Sequence, residues 1–191
     1  MDDWISHIST KDEPNYYARD PKASLITTSL PSNFILGTGS QVLSSVLSSC
    51  LETNHELIIV TCFWAKSKSQ QDVAKLLQDL SKTSLSSGNG TKIRVRLCFS
   101  SISVFQKLFQ TSSLDGKNYP PSVWLKMGLP APDQLEGIDL VVKSVFIRPF
   151  SVMHPKFIIM DRQRVFLPSC NVSWEDWFEG CIETEGAIVE R

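Results

Sequence analysis

The residues of this chain best suited to chemistry lie between Met153 and Asn171, in the run MHPKFIIMDRQRVFLPSCN. His154 and Lys156 stand two positions apart, so on an extended strand they point to one face. A histidine serves as nucleophile or proton shuttle near neutral pH. A lysine brings compact positive charge to a phosphate oxygen. Ser169 and Asn171, again two apart, add a hydroxyl and an amide as neutral donors for the remaining oxygens. Asp161 lies between the two pairs. No second carboxylate or histidine completes a ligand set beside them, so the pattern reads as a metal-free, cofactor-free site for a phosphodiester. Stabilising the charge on phosphorus would then supply much of the rate.

These residues need a hairpin to meet. Phe157-Ile158-Ile159-Met160 reads as a buried strand with a charged pair at its mouth, and Asp161-Arg162-Gln163-Arg164 as the turn. Val165-Phe166-Leu167 returns as the partner strand, and carries Ser169 and Asn171 back beside His154 and Lys156. Upstream, Val42, Leu43, Val46, Leu47, Cys50 and Leu51 recur at helical spacing, with Thr38 or Ser40 as cap. Leu57 to Trp64 is a near-continuous apolar run, the mark of a central strand covered on both faces. Ser69 and Asp72 have capping-box spacing before a helix carrying Val73, Leu76, Leu77 and Leu80. Ile93 to Phe99 is the next strand, with Arg94 and Arg96 on its solvent side. A short helix is expected over Val104–Phe109 and another strand over Leu140–Phe150. The segment 111–140, rich in proline and glycine, has the length of a lid or binding rim, but the favoured expectation is a loop packed down by Tyr119, Trp124, Leu125 and Met127. Ser173 and Asp176 have the spacing to cap a further helix, with the aromatics 174, 177 and 178 as its anchor, and Cys181–Thr184 suggests a last strand. The order helix, strand, helix, strand implies an α/β sheet with right-handed crossovers.

The spacing of His154, Lys156, Asp161, Ser169 and Asn171 resembles the H-x-K-x4-D signature, with its trailing G-S-x-N, of the phospholipase D superfamily. The family has glycine where this chain has Pro168, which lacks a backbone donor. The resemblance covers roughly residues 34–191 in element order, and implies an α/β/α sandwich lobe with a mixed, mainly parallel central sheet. It implies that His154 is nucleophile or general acid–base. Lys156, Ser169 and Asn171 would hold phosphate oxygens, and Asp161 would fix local structure or orient a histidine. The family generally uses two such motifs across a pseudo-two-fold axis. No other His-x-Lys occurs here: His7 and His55 both lack the lysine. The resemblance therefore implies a second motif, from another half or from a second subunit. A G-x-x-V segment at Gly186–Val189 matches the family's next helix start, so the chain reads as the amino-terminal half of a two-motif protein.

Composition bounds the partners. The 191 residues suffice for one lobe, expected at 34–191 behind an irregular, proline-containing arm at 1–33. A net charge of −1 argues against a general nucleic-acid binder, and three acids at Glu175, Asp176 and Glu179 add to that. The five cysteines form no C-x-x-C pair and read as buried thiols of a reducing compartment. The amino terminus has no signal-peptide pattern and the longest apolar run, Leu57–Ala65, is too short to span a bilayer, so a cytoplasmic location is expected. The leading expectation is a phosphodiesterase acting through a phosphohistidine, with phospholipid favoured over nucleic acid and a peripheral membrane contact among its partners. A nuclease of the same superfamily and a silent binding module are the alternatives.

Overall fold

The structure, a computed structural model, describes residues 28–88, 90–101, 116–147 and 151–186. The expected helix at 104–109, most of the arm and the end of the G-x-x-V segment lie outside them. Among the described residues ten strands and two α-helices follow in chain order: β1 (Leu30–Thr38), α1 (Gly39–Cys50), β2 (Glu56–Phe63), α2 (Lys68–Ser86), β3 (Ile93–Ser101), β4 (Lys117–Asn118), β5 (Ile138–Ser144), β6 (Phe146–Ile147), β7 (Ser151–Val152), β8 (Phe157–Met160), β9 (Arg164–Pro168) and β10 (Phe178–Glu185). Two short 3-10 helices, Pro121–Met127 and Pro132–Leu135, lie between β4 and β5.

Eight strands form one mixed sheet in the order β1-β10-β9-β8-β2-β3-β5-β4. Parallel pairing is confined to β2·β3 and β3·β5, and every other neighbour is antiparallel. The sheet is thus mixed as expected, but its parallel part is smaller than expected. The reason is local: after β5 the chain makes hairpins rather than helical crossovers. Leu30–Asn33, placed in the arm by sequence, belong to edge strand β1.

Both helices pack on one face of the sheet, in a single buried cluster. Val42, Val46 and Cys50 of α1 and Val73, Leu77 and Leu80 of α2 meet Leu57 and Ile59, Val95 and Leu97, Val142, Ile158 and Phe166. Right-handed crossovers that step the same way along a sheet all fall on the same side. The steps β1 to β2 and β2 to β3 run the same way in the strand order, so α1 and α2 fall on one side. The opposite face carries Arg94 and Arg96, with Arg96 paired to Asp139 at 2.8 Å.

Two capping expectations are corrected. The amino cap of α2 is Ser67, whose hydroxyl accepts from the Gln70 N–H at 3.1 Å, while Ser69 is buried within the helix. Residues 173–177 form no helix. The Ser173 hydroxyl bonds Glu175, and Asp176 Oδ1 accepts from the Ser40 hydroxyl at 3.0 Å, so Asp176 serves the start of α1 instead. The 116–137 segment is packed down: Trp124 and Met127 are buried, and the Met127 carbonyl accepts from Trp64 Nε1 and Gln70 Nε2, both at 2.9 Å.

Candidate active site

Two prolines help free the site from the sheet. In β8·β9 the ladder runs Met160↔Arg164, Ile159↔Val165, Ile158↔Phe166 and then stops. Continued, that register would set Lys156 opposite Pro168, and Pro155 opposite Ser169. Proline cannot donate to a ladder. The strands therefore part here, and His154 and Lys156 lie just beyond the sheet with backbone no longer committed to pairing. His154 is exposed and Lys156 half-buried, with its Nζ 3.3 Å from the His154 carbonyl. The Met153 N–H bonds the buried Ser100 hydroxyl at 3.0 Å, which ties this segment to the end of β3.

The outgoing arm of the hairpin is stitched to the carboxyl end of β2. Asn171 Oδ1 accepts from the Phe63 N–H at 3.3 Å, the Val172 N–H bonds Thr61 Oγ1 at 3.2 Å, and the Ala65 N–H bonds the Val172 carbonyl at 2.9 Å. With its oxygen used, the Asn171 amide presents its NH2 group as donor. Val60↔Phe157 pairing places the start of β8 at this same end. His154, Lys156, Ser169 and Asn171 are thus brought to the carboxyl end of β2 and β3, where α/β sheets generally bind ligands.

Strict strand alternation would place Cys170, not Ser169 or Asn171, on the face of His154 and Lys156. Cys170 is buried, and burial together with the nearby Glu179 charge pushes its thiol up to about 12, against the opposing charge of Lys156. Glu179 is the site residue that sequence reading missed. Its carboxylate accepts from the Ser169 hydroxyl, whose oxygen in turn accepts from the Gly180 N–H at 3.0 Å. No spacing rule announces it, because β9·β10 pairing alone brings it beside Ser169.

Asp161 sits at the other end of β8. Seven residues separate it from His154, roughly 20 Å of extended chain. Its carboxylate closes the hairpin turn onto the loop before β2. Oδ1 accepts from the His55 and Glu56 N–H groups at 2.8 Å each, and Oδ2 from Asn54 at 2.9 Å. Burial raises its pKa, but the three hydrogen bonds outweigh this and hold the carboxyl below its ordinary value. Asp161 and Arg162 both have positive φ, 51° and 55°, as a tight mirror-image hairpin turn demands. Arg162 is held by Glu56 at 2.7 Å. Of the two roles the resemblance allows Asp161, this geometry is that of fixing local structure.

The rim beside Asn171 carries three large exposed aromatics, Trp174 (68 %), Trp177 (66 %) and Phe178 (77 %). Among the described residues no group of three or more His, Cys, Asp or Glu side chains could hold a metal, and no helix is long and apolar enough to cross a membrane.

No family model and no curated protein sequence matches this chain. Solved structures similar to it include members of the phospholipase D superfamily. NucT from Helicobacter pylori is 16 % identical, with 82 % of this chain and 87 % of that one covered at a TM-score of 0.45. Nuc from Salmonella typhimurium, a phospholipase D family member, is 14 % identical, with 83 % and 87 % covered at 0.45. Phosphatidylserine synthase from Haemophilus influenzae is 15 % identical, with 87 % of this chain and 37 % of that one covered at 0.48.

Proposed function

We propose that this chain is a phospholipase D-like lobe that cleaves a phosphodiester, with phospholipid as the favoured substrate class. What supports the reading is that His154, Lys156, Ser169 and Asn171 all lie past the last β8·β9 pair, at the end of the sheet where β2 ends. In one half-reaction a ring nitrogen of a motif histidine bonds to phosphorus as the bond to the leaving alcohol breaks. The second histidine gives that alcohol its proton. Water then loses a proton to the second histidine and attacks phosphorus, the N–P bond breaks, and a phosphomonoester leaves. Lys156 and the amide donors of Asn171 hold the non-bridging oxygens, whose negative charge they offset as it redistributes. Glu179 holds the Ser169 hydroxyl in place.

One H-x-K motif supplies one histidine, so turnover needs a second copy, from a partner half or a second subunit. General acid catalysis is typically worth about 10²–10⁴-fold, and one lobe alone lacks it. The exposed aromatic rim suits the apolar part of a lipid, and gives a peripheral contact with a membrane surface.

The test is turnover of a chromogenic phosphodiester across size-exclusion fractions, with His154→Ala alongside. Activity should follow a dimeric or partner-bound fraction and vanish in the variant. Unchanged turnover in His154→Ala would remove the reading. A nuclease would show itself instead by salt-sensitive DNA binding.

A further inference from the structure

A half-open cleft of about 500 Å³ lies beside the site, between the segment after β2 and the first 3-10 helix. Its volume is that of a small-ligand pocket. Lys66 and Lys126 line it, with Gln71 between polar walls and Trp64 and Leu125 as apolar surface. Among the described residues no carboxylate lines it. Both lysines are exposed, and neither forms an ion pair with another described residue, whereas neighbouring Lys68 is held by Asp72 at 2.7 Å. The cleft is close to the chemistry. Asn171 takes its hydrogen bond from Phe63, and Lys66 follows three residues on, at most roughly 10 Å of chain.

The charge around the site is divided. On the β10 side stand Glu175, Asp176 and Glu179 together with the exposed aromatics 174, 177 and 178. On the α2 side stand two lysines free of carboxylate partners. A phosphodiester held between them would meet an apolar, acidic rim on one arm and a cationic cleft on the other. A nucleic-acid strand is anionic on both arms, so one arm would face the acids. A lipid whose alcohol carries its own phosphate has one apolar arm and one anionic arm, and fits the division. We infer that the cleft lined by Lys66 and Lys126 is a head-group subsite that binds a second phosphate on the alcohol side of a phospholipid substrate. This rests on the phosphodiesterase reading and adds to it the identity of the leaving group.

The experiment measures binding of short-chain dioctanoyl phosphatidylinositol and of its 4-phosphate, below their micelle concentrations, to the full chain bearing His154→Ala. The same is done after adding Lys66→Gln and Lys126→Gln, with thermal unfolding as a control on the fold. The expected result is a preference for the 4-phosphate that falls about tenfold when both lysines are neutralised, since charge-assisted bonds to phosphate are lost. An absent preference, or one that the double substitution leaves unchanged, overturns the subsite. Tetrathymidylate bound more tightly than the 4-phosphate, with the same dependence on the lysines, overturns the lipid assignment. Turnover by the unmodified protein in its dimeric or partner-bound fraction separates this inference from the reading beneath it. Lysine-dependent binding without cleavage leaves the subsite standing and removes the phosphodiesterase. Cleavage of both lipids with no lysine effect does the reverse.

Discussion

Replacing Asp161 separates a structural clamp from a chemical group. Asp161→Asn keeps a residue that tolerates positive φ, and leaves one oxygen to accept hydrogen bonds. It removes the charge and turns an NH2 group toward one of the three backbone N–H donors at Asn54, His55 and Glu56. A hydrogen bond to a charged group contributes about 1.5–3 kcal/mol, and the partial exposure here calls for the lower end. Asp161→Asn should therefore cost about 1–2 kcal/mol, and Asp161→Ala about 2–4 kcal/mol once its strain at φ 51° is added. In a domain of this size each kcal/mol moves Tm by roughly 2–4 °C. The folded carboxyl titrates below its unfolded value, so its stabilisation is complete above the ordinary aspartate pKa and is lost as pH falls through the folded one. The gap between wild type and Asp161→Asn in urea melts should be constant from about pH 6 to 8 and close below about pH 4. Turnover per folded molecule should change little. Lost turnover at unchanged Tm would refute the placement of Asp161 away from the chemistry.

Other consequences follow from packing and burial. Gly137→Ala should cost about 1–3 kcal/mol by urea melt, because its Cβ would come within 2.1 Å of the Ser81 carbonyl oxygen and the backbone must shift. A melt like the wild type's would show that this contact opens freely. Iodoacetamide at pH 8 should leave Cys50, Cys170 and Cys181 unmodified in the native protein, since burial pushes these thiols up to about 12, 12 and 11, and should label all five cysteines in urea. Glu179→Gln removes a charge that raises Cys170, so labelling of Cys170 near pH 9 should quicken. Equal rates would mean that Glu179 and Cys170 are not neighbours in solution.

Much of the local structure is legible in the sequence, and the reason is periodicity. The stripe Val42, Leu43, Val46, Leu47 and Cys50 gives α1, and Val73, Leu76, Leu77 and Leu80 give α2, because each is read within one element. The hairpin 157–168 is read the same way. What the sequence does not announce is pairing between distant segments. Edge strand β1 carries exposed Leu30, Phe34 and Leu36, so it lacks the buried alternation that marks a strand. It is a strand because β10 hydrogen-bonds it over Leu30↔Glu185 to Thr38↔Phe178. Likewise, Ser173 and Asp176 satisfy the local rule for a helix cap. The amino end of α1, more than 130 residues away, takes Asp176 instead.

Pro168 shows how a departure from a familiar pattern can be accommodated by the fold. Opposite β10 it faces Cys181, and the next residue makes the hydrogen bond, from the Ser169 N–H to the Gly180 carbonyl at 2.8 Å. In an antiparallel pair such bonded and non-bonded positions alternate. Pro168 therefore occupies a position where β10 asks nothing of its nitrogen. Toward β8 the missing N–H would matter, and there the ladder ends. The same residue that cannot offer a phosphate a backbone donor thus contributes to the release of Lys156 from the sheet. The donors that remain for a phosphate are side chains: the Lys156 ammonium, the Asn171 amide and the Ser169 hydroxyl, the last already committed to Glu179. On the proposed reading a bound anion would be held chiefly by Lys156 and Asn171, and any further negative charge on it would need counter-charge outside this set. Lys66, three residues beyond the Phe63 that bonds Asn171, stands in the cleft with Lys126.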